Sequence, residues 1–99
     1  MFINMLTSKQ RAKLRGISSK EDTILQVGKN GIGDTLIKQV ADALQAREII
    51  KMRVLENALM DPRQAAEELA EATESEVVQV IGTKFVLYKR NQKNPIIEL

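Results

Sequence analysis

The spacing of apolar residues changes repeatedly along this chain of 99 residues. It alternates between the three-to-four-residue period of a helix and the two-residue period of a strand. Helical periods follow Thr7, Asp34 and Asp61, and strand patterns cover residues 23–27, 49–55, 77–81 and 84–89. The order α-β-α-β-α-β-β predicts an α+β fold, a two-layer sandwich built on a four-stranded mixed sheet. Helices between successive strands favour parallel pairing, whereas a tight hairpin at Gly82-Thr83 makes the last strand antiparallel.

Each predicted helix begins with a recognisable signal. Thr7 followed by Gln10 forms a capping box, in which each side chain satisfies a backbone amide of the other residue. Asp61-Pro62 combines a cap residue with a proline at the first helical position, where the missing N–H costs nothing. Asp34 is the expected N-cap of the second helix.

The second predicted strand has one apolar and one polar face. Ile50, Met52 and Val54 alternate with Lys51 and Arg53, which places the two cations together on the side away from the core. We therefore expect part of one sheet face to be uncovered.

Length and composition favour a single small domain. With 99 residues and 43% hydrophobic content, the chain can build one core, and we expect residues 1–99 to form one monomeric domain whose residues 91–99 are a flexible tail. The sequence contains no cysteine and no histidine. Thiolate chemistry and the commonest general base and metal ligand are therefore excluded.

The sequence has neither the pattern of a signal peptide nor a membrane span. Its apolar start, residues 1–6, is short, and no segment approaches about 18 consecutive apolar residues. We expect a soluble, cytoplasmic protein that has no membrane partner.

Charge is distributed unevenly although the net charge is only +2. Residues 1–20 and 84–93 contain basic side chains and no acidic ones, whereas residues 61–76 contain six acids and one arginine. This segregation indicates a surface suited to a polyanion. Ordinary solvated charge remains the alternative.

A loop rich in glycine follows the first predicted strand, in the sequence VGKNGIGD at residues 27–34. Its glycine spacing matches neither the dinucleotide-binding fingerprint nor the nucleoside triphosphate loop. What remains is G-x-x-G at Gly28, Lys29, Asn30 and Gly31, a pattern with which KH domains clamp a nucleic-acid backbone. An ordinary turn is the alternative, because Asn-Gly is a common turn dipeptide.

Four collinear motifs extend over nearly the whole chain and lie at residues 6–11, 27–31, 44–52 and 78–82 with 86–88. In these motifs the chain resembles the CRM domain family, in particular the small bacterial YhbY-like proteins, whose fold is similar to the C-terminal domain of translation initiation factor three. The resemblance implies a protein that binds structured RNA, with ribosomal RNA in large-subunit assembly as the expected partner.

The candidate RNA-binding residues come from the G-x-x-G loop and from the basic segments, with Lys51 and Arg53 as optional members. Of the aromatic residues, Phe85 is expected in the core, and Tyr88 is either a core residue or a base-stacking residue. So few aromatic side chains favour recognition of RNA shape and phosphates. The candidates are Gly28, Lys29, Asn30, Gly31, Lys9, Arg11, Lys13, Arg15, Lys84, Lys89 and Arg90.

Two other functions are open to such a chain. It could be an adaptor that docks a ribosomal protein or assembly factor through the exposed sheet face. An enzyme is disfavoured because no base, nucleophile or Mg²⁺ ligand is in register with the loop. Glu67, Glu71 and Glu74 lie on one side of the third predicted helix, where a solvated row is favoured over an acid/base or divalent-metal site. We expect no cofactor, no metal and no small-molecule substrate.

Overall fold

A computed structural model describes residues 6–97 and 99 of the chain. The apolar start at residues 1–5 and Glu98 lie outside the described residues. The described helices and strands follow the predicted order: α1 (Ser8–Ser18), β1 (Thr23–Val27), α2 (Asp34–Arg47), β2 (Ile49–Val54), α3 (Pro62–Thr73), β3 (Glu76–Ile81) and β4 (Lys84–Tyr88), with a short 3₁₀ turn at Glu56–Ala58.

The four strands form one mixed sheet in the order β1-β2-β4-β3. β1 and β2 pair in parallel, and β4 is antiparallel to both of its neighbours, β2 and β3. The tight hairpin inserts β4 between β2 and β3, so the two strands that flank it run in the same direction. The predicted α+β class and element order are confirmed.

Helices α2 and α3 cover one face of the sheet. Their apolar faces pack on the side chains of β2 and β4 that point to the same side, including Met52 and Phe85, both fully buried. Val40 and Leu44 of α2 and Leu69 of α3 are likewise fully inaccessible to solvent. Burial of this apolar surface supplies the main stabilisation of the domain.

Helix α1 lies on the opposite face of the sheet, so the described fold has three layers and not the two predicted from the sequence. Leu14 of α1 packs with Ile49, Val78, Val86 and Tyr88 in a second, smaller cluster. These residues lie toward the start of β2 and the end of β4, so none of the described helices covers the other ends of the two strands on this face. The expected opening in one sheet face is therefore present.

Two of the three predicted helix starts have the predicted caps. Thr7 and Gln10 make both hydrogen bonds of the capping box, and the Asp61 side chain accepts a hydrogen bond from the Arg63 amide. The prediction for Asp34 is wrong. Gly33 is the N-cap of α2, with extended backbone and no side-chain hydrogen bond, and Asp34 is the first helical residue.

The link between α2 and β2 contains a buried carboxylate, Glu48, whose φ is +66°. Its side chain accepts hydrogen bonds from the backbone amides of Asn91, Ile96 and Ile97 at 2.7, 2.9 and 2.6 Å. The Asn91 side-chain oxygen in turn accepts from the Lys93 amide at 3.0 Å. These contacts connect the segment predicted as a tail to the domain.

Candidate nucleic-acid interface

The G-x-x-G motif forms a tight turn immediately after β1. The Gly31 amide donates to the Gly28 carbonyl at 2.9 Å, which places Lys29 and Asn30, both exposed, at the tip of the turn. Within the described part of the chain, the amides of Lys29, Asn30 and Ile32 donate no hydrogen bond. The turn therefore presents main-chain donors and one ammonium group to solvent, which are groups that bind phosphate.

The three glycines of this loop have different local requirements. Gly31 has φ +67°, a conformation that favours glycine. Among the described residues, a Cβ at Gly28 would meet only the Leu55 Cδ1 atom, at 3.8 Å, and a Cβ at Gly33 would meet nothing within 4 Å. The fold itself thus requires glycine only at Gly31, and the bare backbone at Gly28 and Gly33 leaves room for an approaching molecule.

The start of α2 is a less open anion site than the sequence indicates. The first amides of a helix lack intrahelical partners and carry partial positive charge. Asp34 places a carboxylate in the first turn of α2, where it stabilises the helix but repels a phosphate. The turn at Gly28–Gly31 is therefore the more suitable phosphate contact, and the helix terminus contributes less.

The loop lies at one end of the sheet, here called the loop end. The Leu55 amide, after β2, donates to the Val27 carbonyl at 2.9 Å, and the Val54 amide donates to the Thr83 carbonyl at 2.8 Å. The end of β2 and the β3–β4 hairpin therefore adjoin the loop. Lys84, the first residue of β4, belongs to this end.

Lys89 and Arg90 lie at the opposite end of the sheet from Lys84. Five residues of extended chain separate Lys84 from Lys89, about 17 Å. The Lys89 ammonium group also donates to the Thr73 carbonyl at the end of α3, at 3.0 Å, which satisfies a helix C-terminus. Lys84, Lys89 and Arg90 are close in sequence, but the structure places Lys84 at one end of the sheet and the other two at the opposite end.

The basic residues of α1 differ in their surroundings. Lys9, Lys13 and Arg15 are exposed. Arg11 is half-buried, and its guanidinium donates to the carbonyls of Val77 and Val78. Those carbonyls lie at the irregular pairing between Val77 and Gln79 in β3, so Arg11 stabilises a distorted edge strand as well as carrying charge.

Four side chains form a line across all four strands near the loop end, on the face that carries α1. We call them the exposed row. They are Gln26 of β1, Arg53 of β2, Lys84 of β4 and Ile81 of β3, all exposed and paired in register. The alternation of apolar and polar residues in β2 predicted that Arg53 lies on the polar face of the strand. The sequence alone could not predict that Arg53 lies beside Lys84.

The aromatic residues Phe85 and Tyr88 are both buried. Tyr88 belongs to the cluster under α1, so its ring has no exposed face on which a base could stack. In the part of the chain that the structure describes, no group of three or more acidic residues is placed to hold a metal ion, and no helix is long and apolar enough to cross a membrane.

Comparison with known families identifies this arrangement. Residues 6–89 match the CRS1 / YhbY (CRM) domain. The chain belongs to the CRM domain family. The resemblance inferred from its four motifs is therefore confirmed. The CRM family is not a family of enzymes, in agreement with the expectation that this chain catalyses no reaction.

Similar proteins align with nearly the whole chain. It is 47% identical over 95 residues to Probable RNA-binding protein YqeI of Bacillus subtilis, covering 96% of this chain and 99% of that protein. It is 25% identical over 91 residues to an RNA-binding protein of Haemophilus influenzae, covering 92% of each. A solution structure of the hypothetical protein SAV1595 from Staphylococcus aureus, assigned provisionally as RNA-binding, matches with a TM-score of 0.80 and 48% identity, covering 96% of this chain and 99% of that one.

Proposed function

We propose that this CRM protein is a non-catalytic, monomeric, cytoplasmic factor that binds folded ribosomal RNA during assembly of the large ribosomal subunit. The observation that carries the proposal is the Gly28–Gly31 turn. It presents exposed Lys29 and Asn30 and main-chain amides that have no partner among the described residues. It also has glycine at a position, Gly28, where the described fold has room for a side chain. The names of the relatives support RNA as the ligand. The ribosomal partner is what the family resemblance implies.

The chemistry of the loop suits the RNA backbone better than the bases. Amide donors and an ammonium group recognise phosphate oxygens, and these contacts are independent of sequence. The buried positions of Phe85 and Tyr88 remove the aromatic platforms with which many proteins read single-stranded bases. Selectivity would then come from the shape of folded RNA.

A double substitution in the loop tests the proposal. Lys29→Asp with Asn30→Asp should weaken binding to large-subunit ribosomal RNA fragments by on the order of a hundredfold, because a phosphate contact becomes a repulsion. Stability should change little, since both side chains are exposed. Lys93→Asp with Asn94→Asp is the matched control, because it changes the same exposed dipeptide in another part of the chain. Equal affinities of the two folded variants would refute the role of the loop.

The ribosomal part of the proposal needs a test in cells. Cross-linking of the protein to RNA, followed by sequencing of the attached RNA, should recover large-subunit ribosomal RNA, and the loop variant should recover much less of it. Recovery of other RNA classes alone would retain RNA binding and reject the ribosomal assignment.

Exposed apolar residues favour a protein adaptor as the second candidate. Leu59, in the loop after β2, is 95% exposed, and Ile81 is 63% exposed. Single exposed apolar residues are common on monomers, and they mark a partner site where they form one contiguous patch. If the purified protein bound structured RNA no better than a neutral control protein at low salt, while a ribosomal protein or assembly factor bound through the uncovered sheet face, the adaptor would replace the RNA-binding proposal.

A further inference from the structure

The part of the sheet beside the loop that no described helix covers carries two neighbouring cations, Arg53 and Lys84. We propose that the RNA strand held by the Gly28–Gly31 turn continues across the exposed row, where Arg53 and Lys84 each contact a phosphate. This inference rests on the proposed RNA-binding function and extends its site from the loop to the sheet.

Strand register places the two cations side by side. Arg53 of β2 is directly opposite Lys84 of β4, and residues opposite each other in an antiparallel pair project from the same face. The neighbouring pair, Met52 and Phe85, is fully buried under α2 and α3. Arg53 and Lys84 must therefore project from the other face, the one that carries α1.

This pairing of like charges opposes folding. Directly opposed cations destabilise a sheet, and in the described residues neither side chain forms an ion pair or a hydrogen bond. Basic residues often protect the edge strands of a sheet from aggregation, but β2 and β4 are its two central strands. An anionic ligand accounts for two cations in such a position.

The exposed row is open and continuous with the loop. Helix α1 packs farther from the loop end on this face, where Leu14 packs with Val86 and Tyr88. Gln26, which pairs with Arg53, precedes Gly28 by only two residues of strand, about 7 Å. A single RNA strand can therefore reach both the turn and the row without crossing the helix.

The side chains of the row suit a nucleic-acid strand. Arginine can bind a phosphate through two parallel hydrogen bonds, and lysine supplies a point charge. Gln26 at one end of the row is an amide that can donate or accept, and Ile81 at the other end is apolar and 63% exposed. Half-buried Lys51, two residues before Arg53, extends the positive charge toward α1.

The test compares two double variants that remove the same charge from opposite faces of the molecule. Arg53→Gln with Lys84→Gln changes the exposed row. Lys38→Gln with Arg63→Gln is the control, because both residues lie on the helical layer and pair with acids, Asp42 and Glu67. Binding of a large-subunit ribosomal RNA fragment is measured over a range of salt concentrations, together with the melting temperature of each variant.

We expect the row variant to lose affinity by about tenfold to a hundredfold near 0.1 M salt, and its slope of log affinity against log salt to be shallower by about 2. The control variant should keep nearly the affinity and the salt slope of the wild type. The row variant should melt no lower than the wild type, because its substitutions remove a repulsion. A lower affinity in a well-folded row variant would therefore reflect the loss of contacts between these two side chains and RNA.

Three results would overturn the inference in distinguishable ways. If the row variant and the control have the same affinity and slope while Lys29→Asp with Asn30→Asp loses binding, the loop proposal stands and the row is not part of the site. If the wild type itself fails to bind RNA, the proposed RNA-binding function is rejected, and the inference that rests on it is rejected too. If an acidic polypeptide of matched charge competes as well as the RNA, the row is a surface for acidic proteins.

Discussion

The side chain of Glu48 accepts a hydrogen bond from the backbone amide of Ile97 at 2.6 Å, across 49 positions of sequence. The same carboxylate accepts from the amides of Asn91 and Ile96, and it is fully buried. A single side chain thus satisfies three amides of the C-terminal segment. Ile97 also packs against the cluster under α1, so the contact joins the α2–β2 link to the face that carries α1.

Replacing this carboxylate should release the C-terminal segment. Glu48→Gln keeps the size of the side chain but removes the charge and one acceptor, and we expect it to lower the free energy of unfolding by about 2–4 kcal/mol. Denaturant unfolding measures the loss, and hydrogen exchange should show faster exchange at Ile96 and Ile97. Gln45→Ala is a control on the exposed surface nearby. Unchanged exchange rates in Glu48→Gln would contradict the anchoring role of the carboxylate.

Substitutions at two loop glycines should affect stability and RNA binding differently. Gly31→Ala places a Cβ on a backbone with φ +67° and should destabilise the protein by about 1–2 kcal/mol. Gly28→Ala should leave stability nearly unchanged, because its Cβ makes only an ordinary contact with Leu55. If RNA approaches the backbone closely, Gly28→Ala should nevertheless weaken binding. Thermal melting and RNA titration of both variants check this, and a Gly28→Ala protein of unchanged affinity would place the RNA farther from the turn.

Tyr88 should make the protein less stable in alkaline solution. Burial raises its pKa above the ordinary value of 10.0, Glu48 raises the pKa further, and Arg90 lowers it. Below pH 10.0 the phenol is protonated in both the folded and the unfolded chain and contributes nothing to the pH dependence. Above that pH the unfolded chain loses its proton first, so stability falls as pH rises toward the pKa of the folded state.

Tyr88→Phe isolates this effect. The buried hydroxyl makes no hydrogen bond within the described residues, so its removal should be neutral or stabilising at pH 7. Above pH 10.0 the variant should lose less stability than the wild type. Because Tyr88 is the single tyrosine and the chain has no tryptophan, phenolate absorbance reports its titration directly. Parallel stability curves for the two proteins through the alkaline range would contradict the raised pKa.

Local signals in the sequence were sufficient for the elements of this fold. The capping box of Thr7 and Gln10, the Asp61-Pro62 start and the Gly82-Thr83 hairpin each act within a few residues, and the structure contains all three. The alternation of β2 likewise predicted the side to which its cations point. The helix start that was predicted wrongly, at Asp34, differs by one position, because Gly33 adopts the extended backbone of a cap without any side chain.

Contacts between distant segments could not be predicted from the sequence. The sheet face that α1 covers depends on the packing of Leu14, and α1 has no pattern that distinguishes the two faces. In the sequence nothing distinguishes Arg11 from the other basic residues of α1, yet its guanidinium contacts carbonyls 66 and 67 residues away. The exposed row has the same origin, since Arg53 and Lys84 become neighbours only when the hairpin inserts β4 beside β2.

Asp34 should oppose RNA binding while it stabilises its own helix. Its carboxylate in the first turn of α2 interacts favourably with the helix dipole, and Asp34→Asn should cost about 0.3–1 kcal/mol of stability. The same substitution removes a negative charge close to the proposed phosphate contact, so RNA affinity should rise by roughly two- to fivefold at low salt. Asp42→Asn, a matched change on the exposed side of α2, should leave affinity nearly unchanged. Denaturant unfolding and RNA titration measure the two effects, and an Asp34→Asn protein with lower RNA affinity would mean that Asp34 contacts the ligand directly rather than repelling it.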